Sequence, residues 1–255
     1  LFKKIRLNVD NVIFYDKDIK KGILDILFIN KTTSIDYQIN ENSLSFMSQG
    51  GKNSYEGSLD FKPFYLSMIF NYEGINSRNF FNDDSILLDL VRSEIFNNEN
   101  LNAKIDLNIK DITNINELNN LFLKIVIEEG KFIFSNSNVM WKNDLKLSFK
   151  ETELINNENE IKLIGRIAIN FENIDNFYKS FQVKKVDRKK IKEIELDFNY
   201  NINKKIINFD NIKIDNVSDK KMEKYLNDFN SSQNRILNKI MFKNFVNNFF
   251  SAYAG

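Results

Sequence analysis

From Asn100 to Phe134 the chain alternates between apolar and polar positions. Leu101, Ala103, Ile105, Leu107 and Ile109 are interleaved with Asn102, Lys104, Asp106, Asn108 and Lys110. Successive side chains of a strand point to opposite faces, so this spacing yields one apolar and one polar face, a segregation that no helix produces. After a polar connection the pattern resumes at Leu121, Leu123, Ile125 and Ile127, turns at Glu129-Gly130, and returns through Phe132 and Phe134.

The same period runs through most of the chain. Leu1 to Val9 reads as a strand, and Ile23 to Ile29 as one that is apolar on both faces apart from Asp25. Ile35, Tyr37 and Ile39 predict a further strand, Leu44 and Phe46 a short one, and Gln49-Gly50-Gly51 a turn. Tyr55 to Phe61 and Phe64 to Tyr72 flank the only proline, Pro63, which has no N–H for a ladder and belongs at a strand start or a bulge. Ile86, Leu87, Leu90, Val91 and Ile95 recur at helical spacing behind Asp83 and predict a short amphipathic helix over 83–96.

Beyond the central ladder, Val139 to Trp141 and Leu145 to Phe149 predict a hairpin around Asn143-Asp144. Ile161 to Phe171 is a long strand whose Gly165 marks a bulge or a close approach. Ile174 to Phe181 reads as one or two helical turns. Ile194, Leu196, Phe198, Tyr200 and Ile202 alternate cleanly, and Ile207 and Phe209 precede a change of phase at Asn211. The chain closes in helix, with a break at Ser231-Ser232. The polar side of that tail carries Lys220, Lys221, Lys224, Arg235, Lys239 and Lys243, as in a helix lying on a membrane surface or in an ordinary helix packed on a sheet.

Composition narrows the chemistry more than the fold. With neither Cys nor His among 255 residues, thiol catalysis, disulfides, Cys/His zinc sites and His-based triads are excluded. Lys and Arg (36) nearly balance Asp and Glu (35), and the 24 Phe sit at sheet period rather than among clustered basic residues. Nucleic acid is therefore not an expected partner. No run approaches the roughly 20 apolar residues of a membrane helix. Asp16-Lys17-Asp18 with Gly22 departs from a calcium loop, because Lys20 occupies a ligand position and the closing Glu is missing. No phosphate loop, nucleophile elbow or metal-ligand spacing is present, so no enzyme, cofactor or metal is expected.

About a dozen strands at about 4.8 Å each carry more apolar face than two or three helices cover, so the sheet is expected to fold over on itself. A sandwich, a closed barrel and a bent sheet that leaves an apolar trough all satisfy that demand. Alternation alone does not separate them.

Gly57 to Leu66 (GSLDFKPFYL), a short helix, Asn100 to Leu107 (NLNAKIDL), Glu128 to Phe132 (EEGKF) and Leu163 to Ile167 (LIGRI) occur in that order, and together resemble the C-terminal region of AsmA-like proteins over about residues 55–215. The resemblance implies a mainly β fold, a long, bent, twisted antiparallel sheet forming an apolar groove, with one short internal helix and C-terminal helices. It divides the chain into N-terminal strands (1–54), a β-groove region (55–217) and an amphipathic helical segment (218–255). It further implies a non-enzymatic lipid-binding or lipid-transfer protein of the Gram-negative periplasm that supports outer-membrane biogenesis, anchored to the inner membrane by a segment upstream of Leu1. Its partners would be phospholipid acyl chains and, through the C-terminal helix, a membrane surface. The groove lining on this reading is Leu101, Ala103, Ile105, Leu107, Leu121, Leu123, Ile125, Ile127, Phe132, Phe134, Ile194, Leu196, Phe198 and Tyr200. Each of these serves equally well as packed core. A membrane β-barrel and a β-rich envelope scaffold without lipid transport are the alternatives.

Overall fold

The computed structural model describes residues 8–16, 18–28, 31–76, 98–113, 117–134, 136–157, 160–204, 206–232 and 239–255. Among them are fifteen strands and three α-helices, a mainly β fold. The chain divides into two units, Leu1–Asn116 with Asn120–Phe132, and Glu117–Asn119 with Ile133–Gly255. That division falls near residue 133. The N-terminal strands are continuous in register with those that follow them, and the C-terminal helices share a core with the strands of the second unit.

In the first unit, β1 (Asn8–Asp16), β2 (Ile19–Phe28), β3 (Lys31–Ile39), β4 (Ser43–Ser48), β5 (Ser54–Phe61) and β6 (Phe64–Asn76) form an antiparallel meander, each paired with the next. Lys62-Pro63 makes the tight connection between β5 and β6, where the missing proline N–H costs no ladder bond. The expected antiparallel sheet is corrected at the next step: β7 (Asn102–Thr113) lies parallel to β6. A parallel neighbour of this kind cannot be joined by a tight hairpin. The register then sets Leu66 beside Ala103, Met68 beside Ile105, Phe70 beside Leu107 and Tyr72 beside Ile109, so the two apolar periods coincide. Next in order is β8 (Leu118–Glu128), followed by the Glu129-Gly130 turn, both residues at positive φ, and the short β9 (Lys131–Ile133).

Strand β1 was not legible in full. Val12, Ile13, Phe14 and Tyr15 form an unbroken apolar run with no alternation, and the Asp16 to Asp18 stretch is the connection of the β1–β2 hairpin. The helix expected over 83–96 and residues 1–7 of the first expected strand lie outside the described residues.

In the second unit the strand order is β10 (Ser137–Trp141), β11 (Leu145–Asn157), β12 (Glu160–Phe171), β13 (Glu193–Asn201), β14 (Ile206–Ile214) and β15 (Val217–Ser218), all antiparallel neighbours. Its apolar face is covered by α1 (Ile174–Phe181), α2 (Lys220–Ser232) and α3 (Lys239–Ala254). Helix α1 starts at Asn173, whose side chain accepts from the Asn176 N–H at 3.0 Å, and ends at Gln182 in the left-handed region. Helix α2 starts at Asp219, whose carboxylate accepts from the Met222 N–H at 3.0 Å. Phe177, Tyr178 and Phe181 of α1, Met222 and Leu226 of α2, and Val246, Phe249 and Phe250 of α3 are buried against Ile194, Leu196, Phe198, Ile212 and Ile214. Each such side chain contributes about 1.5–3 kcal/mol on leaving water, which makes this face a conventional core.

The opposite face of the second unit is charged and internally paired. Lys150 Nζ lies 2.7 Å from Glu195, Arg166 Nε donates to Asp197 at 2.8 Å, and Asn211 Nδ2 donates to the other Asp197 oxygen at 2.8 Å. Partial burial pushes the Asp197 carboxyl up, but the bonds from Asn211 and Arg166 outweigh it and hold the group below its ordinary value. Asn211 takes positive φ opposite a register shift between Glu195 and Asp197, which is the change of phase read from the sequence.

Candidate functional site

One face of the first unit is a continuous apolar surface built by register. Tyr37, Phe46, Met68 and Ile105 stand in one row across the strands, with Gly22 and Gly57 filling the remaining places in it. Ile39, Leu44, Leu59, Leu66 and Ala103 form the adjacent row. Gly57 is required in the first of these, because a Cβ there would lie 2.6 Å from Cζ of Phe46 and 2.5 Å from the Ser67 carbonyl oxygen. The Phe46 ring thus covers the glycine and closes the row without a gap. Tyr55, Phe70 and Tyr72 continue the face as an aromatic cluster with ring centroids 5.6–6.4 Å apart. Burial, reinforced by Tyr55, pushes the Tyr72 hydroxyl up to about 12.

Exposure distinguishes this face from its counterpart in the second unit. Tyr37, Ile39, Leu44, Phe46, Leu59, Leu66, Met68, Phe70 and Ile105 are all half-buried, and every described element of the first unit is a strand. Ile194, Leu196 and Phe198, on the same kind of period, are 3–6 % exposed beneath three helices.

The fourteen residues expected to line a groove therefore fall into different environments. Leu101, Ile105, Leu121 and Leu123 of the first unit are half-buried. Ala103, Leu107, Ile125, Ile127 and Phe132 of the same unit are buried. Phe134 belongs to the second unit, where its N–H donates to the Thr152 carbonyl at 2.7 Å. Ile194, Leu196 and Phe198 are core, and Tyr200 packs against that core, so the helices occupy the space a guest would need. The apolar sides of α2 and α3 are likewise engaged by the sheet. No helix among the described residues is long and apolar enough to cross a membrane.

The half-buried residues of β3 to β6 are not among the fourteen expected to line a groove. Their alternation was visible, but period reports which residues share a face and not whether that face is covered. Comparison of the chain with family models, with curated proteins and with solved structures finds no match in any of the three.

Proposed function

We propose that the first unit binds the acyl chains of a lipid along the apolar face of β3 to β7, as a non-enzymatic lipid-binding or lipid-transfer protein. The observation that supports this reading is the unequal covering of two similar faces, one sealed by helices and the other half-buried across β3 to β6 and at Ile105, though buried at Ala103, Leu107 and Ile109 of β7. Each methylene laid on such a face contributes about 0.8 kcal/mol at full burial, and the attraction has no direction, so a uniform lining holds a chain and lets it slide. The resemblance over residues 55–215 extends the proposal to outer-membrane biogenesis in a Gram-negative periplasm, with phospholipid as cargo and an inner-membrane anchor preceding Leu1.

A photocrosslinking amino acid placed at Phe46, Met68 and Ile105, with Phe198 as the buried control, tests it. Crosslinks to phospholipid from the first three positions and none from Phe198 are expected, alongside lipid in organic extracts of the purified protein. Lipid-free protein without crosslinks from any first-unit position overturns the proposal.

A further inference from the structure

An open cavity of about 740 Å³ in the first unit is lined mainly by side chains of the other face, with Gly22, Tyr37, Phe46 and Gly57 of the apolar row also bordering it. Two rows of side chains floor it. The first runs Lys21, Gln38, Ser45, Ser58, Ser67 across β2 to β6, and the second runs Ile23, Asp36, Met47, Glu56, Ile69 across the same strands. Phe14 of β1 closes one end.

The polar groups of this face behave differently inside and outside the cavity. Outside it they bond to one another: Ser34 Oγ donates to Asp25 at 2.5 Å, Asn71 Nδ2 to Ser54 at 2.9 Å, and Asn108 Nδ2 to Asn71 at 2.8 Å. At its margin Gln49 Nε2 donates to Asp36 at 2.5 Å. Within it, no hydrogen bond or ion pair among the described residues engages the side chains of Lys21, Gln38, Ser45, Glu56, Ser58 or Ser67. Three large apolar side chains of the cavity also stand in water, Phe14 at 60 %, Met47 at 55 % and Ile23 at 37 % exposure.

We propose that this trough is a binding site for a linear oligosaccharide. Serine hydroxyls and the Gln38 amide both donate and accept, Glu56 accepts, and Lys21 donates. A ligand matching them presents donors and acceptors at short, repeated intervals, as sugar hydroxyls do, and its C–H faces rest on Ile23, Met47, Ile69 and Phe14. The rows cross five strands at about 4.8 Å each, so the floor is about 19 Å long and its pitch is close to the length of one pyranose unit. An acyl chain would strip water from the polar row without replacing its hydrogen bonds. An extended peptide would find no partner for its backbone, because β2 to β6 are already paired with their neighbours on both sides. The two floor rows lie on the opposite face from the proposed lipid surface, and sugar binding does not require lipid.

Cellohexaose and chitohexaose titrated into the full chain test this, read by calorimetry and by methyl signals of 13C-methyl methionine. Saturable binding of at least one hexasaccharide is expected, moving the Met47 signal and leaving that of Met222, fully buried in the second unit, unchanged. Glu56→Gln, isosteric and exposed, is expected to weaken binding at least tenfold, whereas Lys213→Ala, exposed in the second unit, leaves it intact. No saturable binding by either sugar, or a Met47 signal that does not move, overturns the assignment. So does Glu56→Gln binding as tightly as the parent, or an alternating Lys-Leu decapeptide occupying the trough where the sugars do not.

Discussion

Gly165 and Thr152 approach so closely that a Cβ on the glycine would lie 2.6 Å from the threonine Cα. The cause is the register shift between Lys150 and Glu153, where Glu151 at positive φ turns the strand and drops Thr152, 1 % exposed, onto the neighbouring strand. The threonine Oγ1, Cα and Cβ all obstruct it, and because Cα is backbone a rotamer change of Thr152 alone does not relieve the clash. Gly165→Ala is expected to destabilise the second unit by about 2–3 kcal/mol, at the upper end of what overpacking costs. The denaturant midpoint should fall with the slope unchanged.

Trp141, the only tryptophan, reports that transition. It packs against Phe181 at 5.3 Å and Phe242 at 5.7 Å, and its indole N–H is buried without a hydrogen-bond partner. Its emission should be blue-shifted in the native protein, poorly quenched by iodide, and shift to the red in step with loss of the second unit.

The two apolar faces should respond differently to truncation. Phe198→Ala leaves a cavity beneath the helices and is expected to cost about 3–5 kcal/mol by Trp141 fluorescence. Leu66→Ala, on the half-buried face, should leave that transition where it was, because Leu66 belongs to the other unit.

Loss of a helix cap has a smaller, separable effect. Asp219→Ala removes the acceptor for the Met222 N–H, and about 1 kcal/mol of stability should go with it. Asp219→Asn, which keeps the acceptor, should restore most of it.

Acid titration tests the pairing of Glu160 with Lys162 and Lys204. Hydrogen bonds from these two lysines lower its carboxyl from 4.5 to about 2. A depressed carboxylate contributes its stabilisation above the unfolded value and loses it as pH falls through the folded one, so the window is about pH 4.5 down to pH 2. Carbon NMR should place the Glu160 midpoint near the low end of that window. In the Lys162→Met, Lys204→Met protein it should return toward the high end.

Much of the fold could be read from period and punctuation. The helix at 174–181, the close approach at Gly165 and the phase change at Asn211 all follow from local chemistry, and local chemistry is what a sequence displays, whereas Ser231 and Ser232, where a break is expected, are both helical. Strand direction at β6 and β7 was not legible, because the parallel pairing of Leu66 with Ala103 joins positions 37 apart that no local pattern links. The site was half legible for a similar reason. Ile105 and Phe198 have similar alternating surroundings in sequence, yet one is half-buried and the other belongs to a core that also contains Phe249 and Phe250 of a helix more than forty residues further on. The trough, too, depends on rows that cross strands, which no linear pattern exposes.

The parallel seam between β6 and β7 also bears on how the first unit is born. Every ladder from β1 to β6 closes between consecutive strands, so each hairpin can zip on the microsecond scale as soon as its two arms exist. The seam instead waits for a chain excursion to finish, and until then the Phe64 to Tyr72 edge is an open template with Phe70 and Met68 beside it. Between synthesis of Asn76 and of Thr113 the nascent chain therefore exposes that edge, the kind of unpaired template on which aggregation starts.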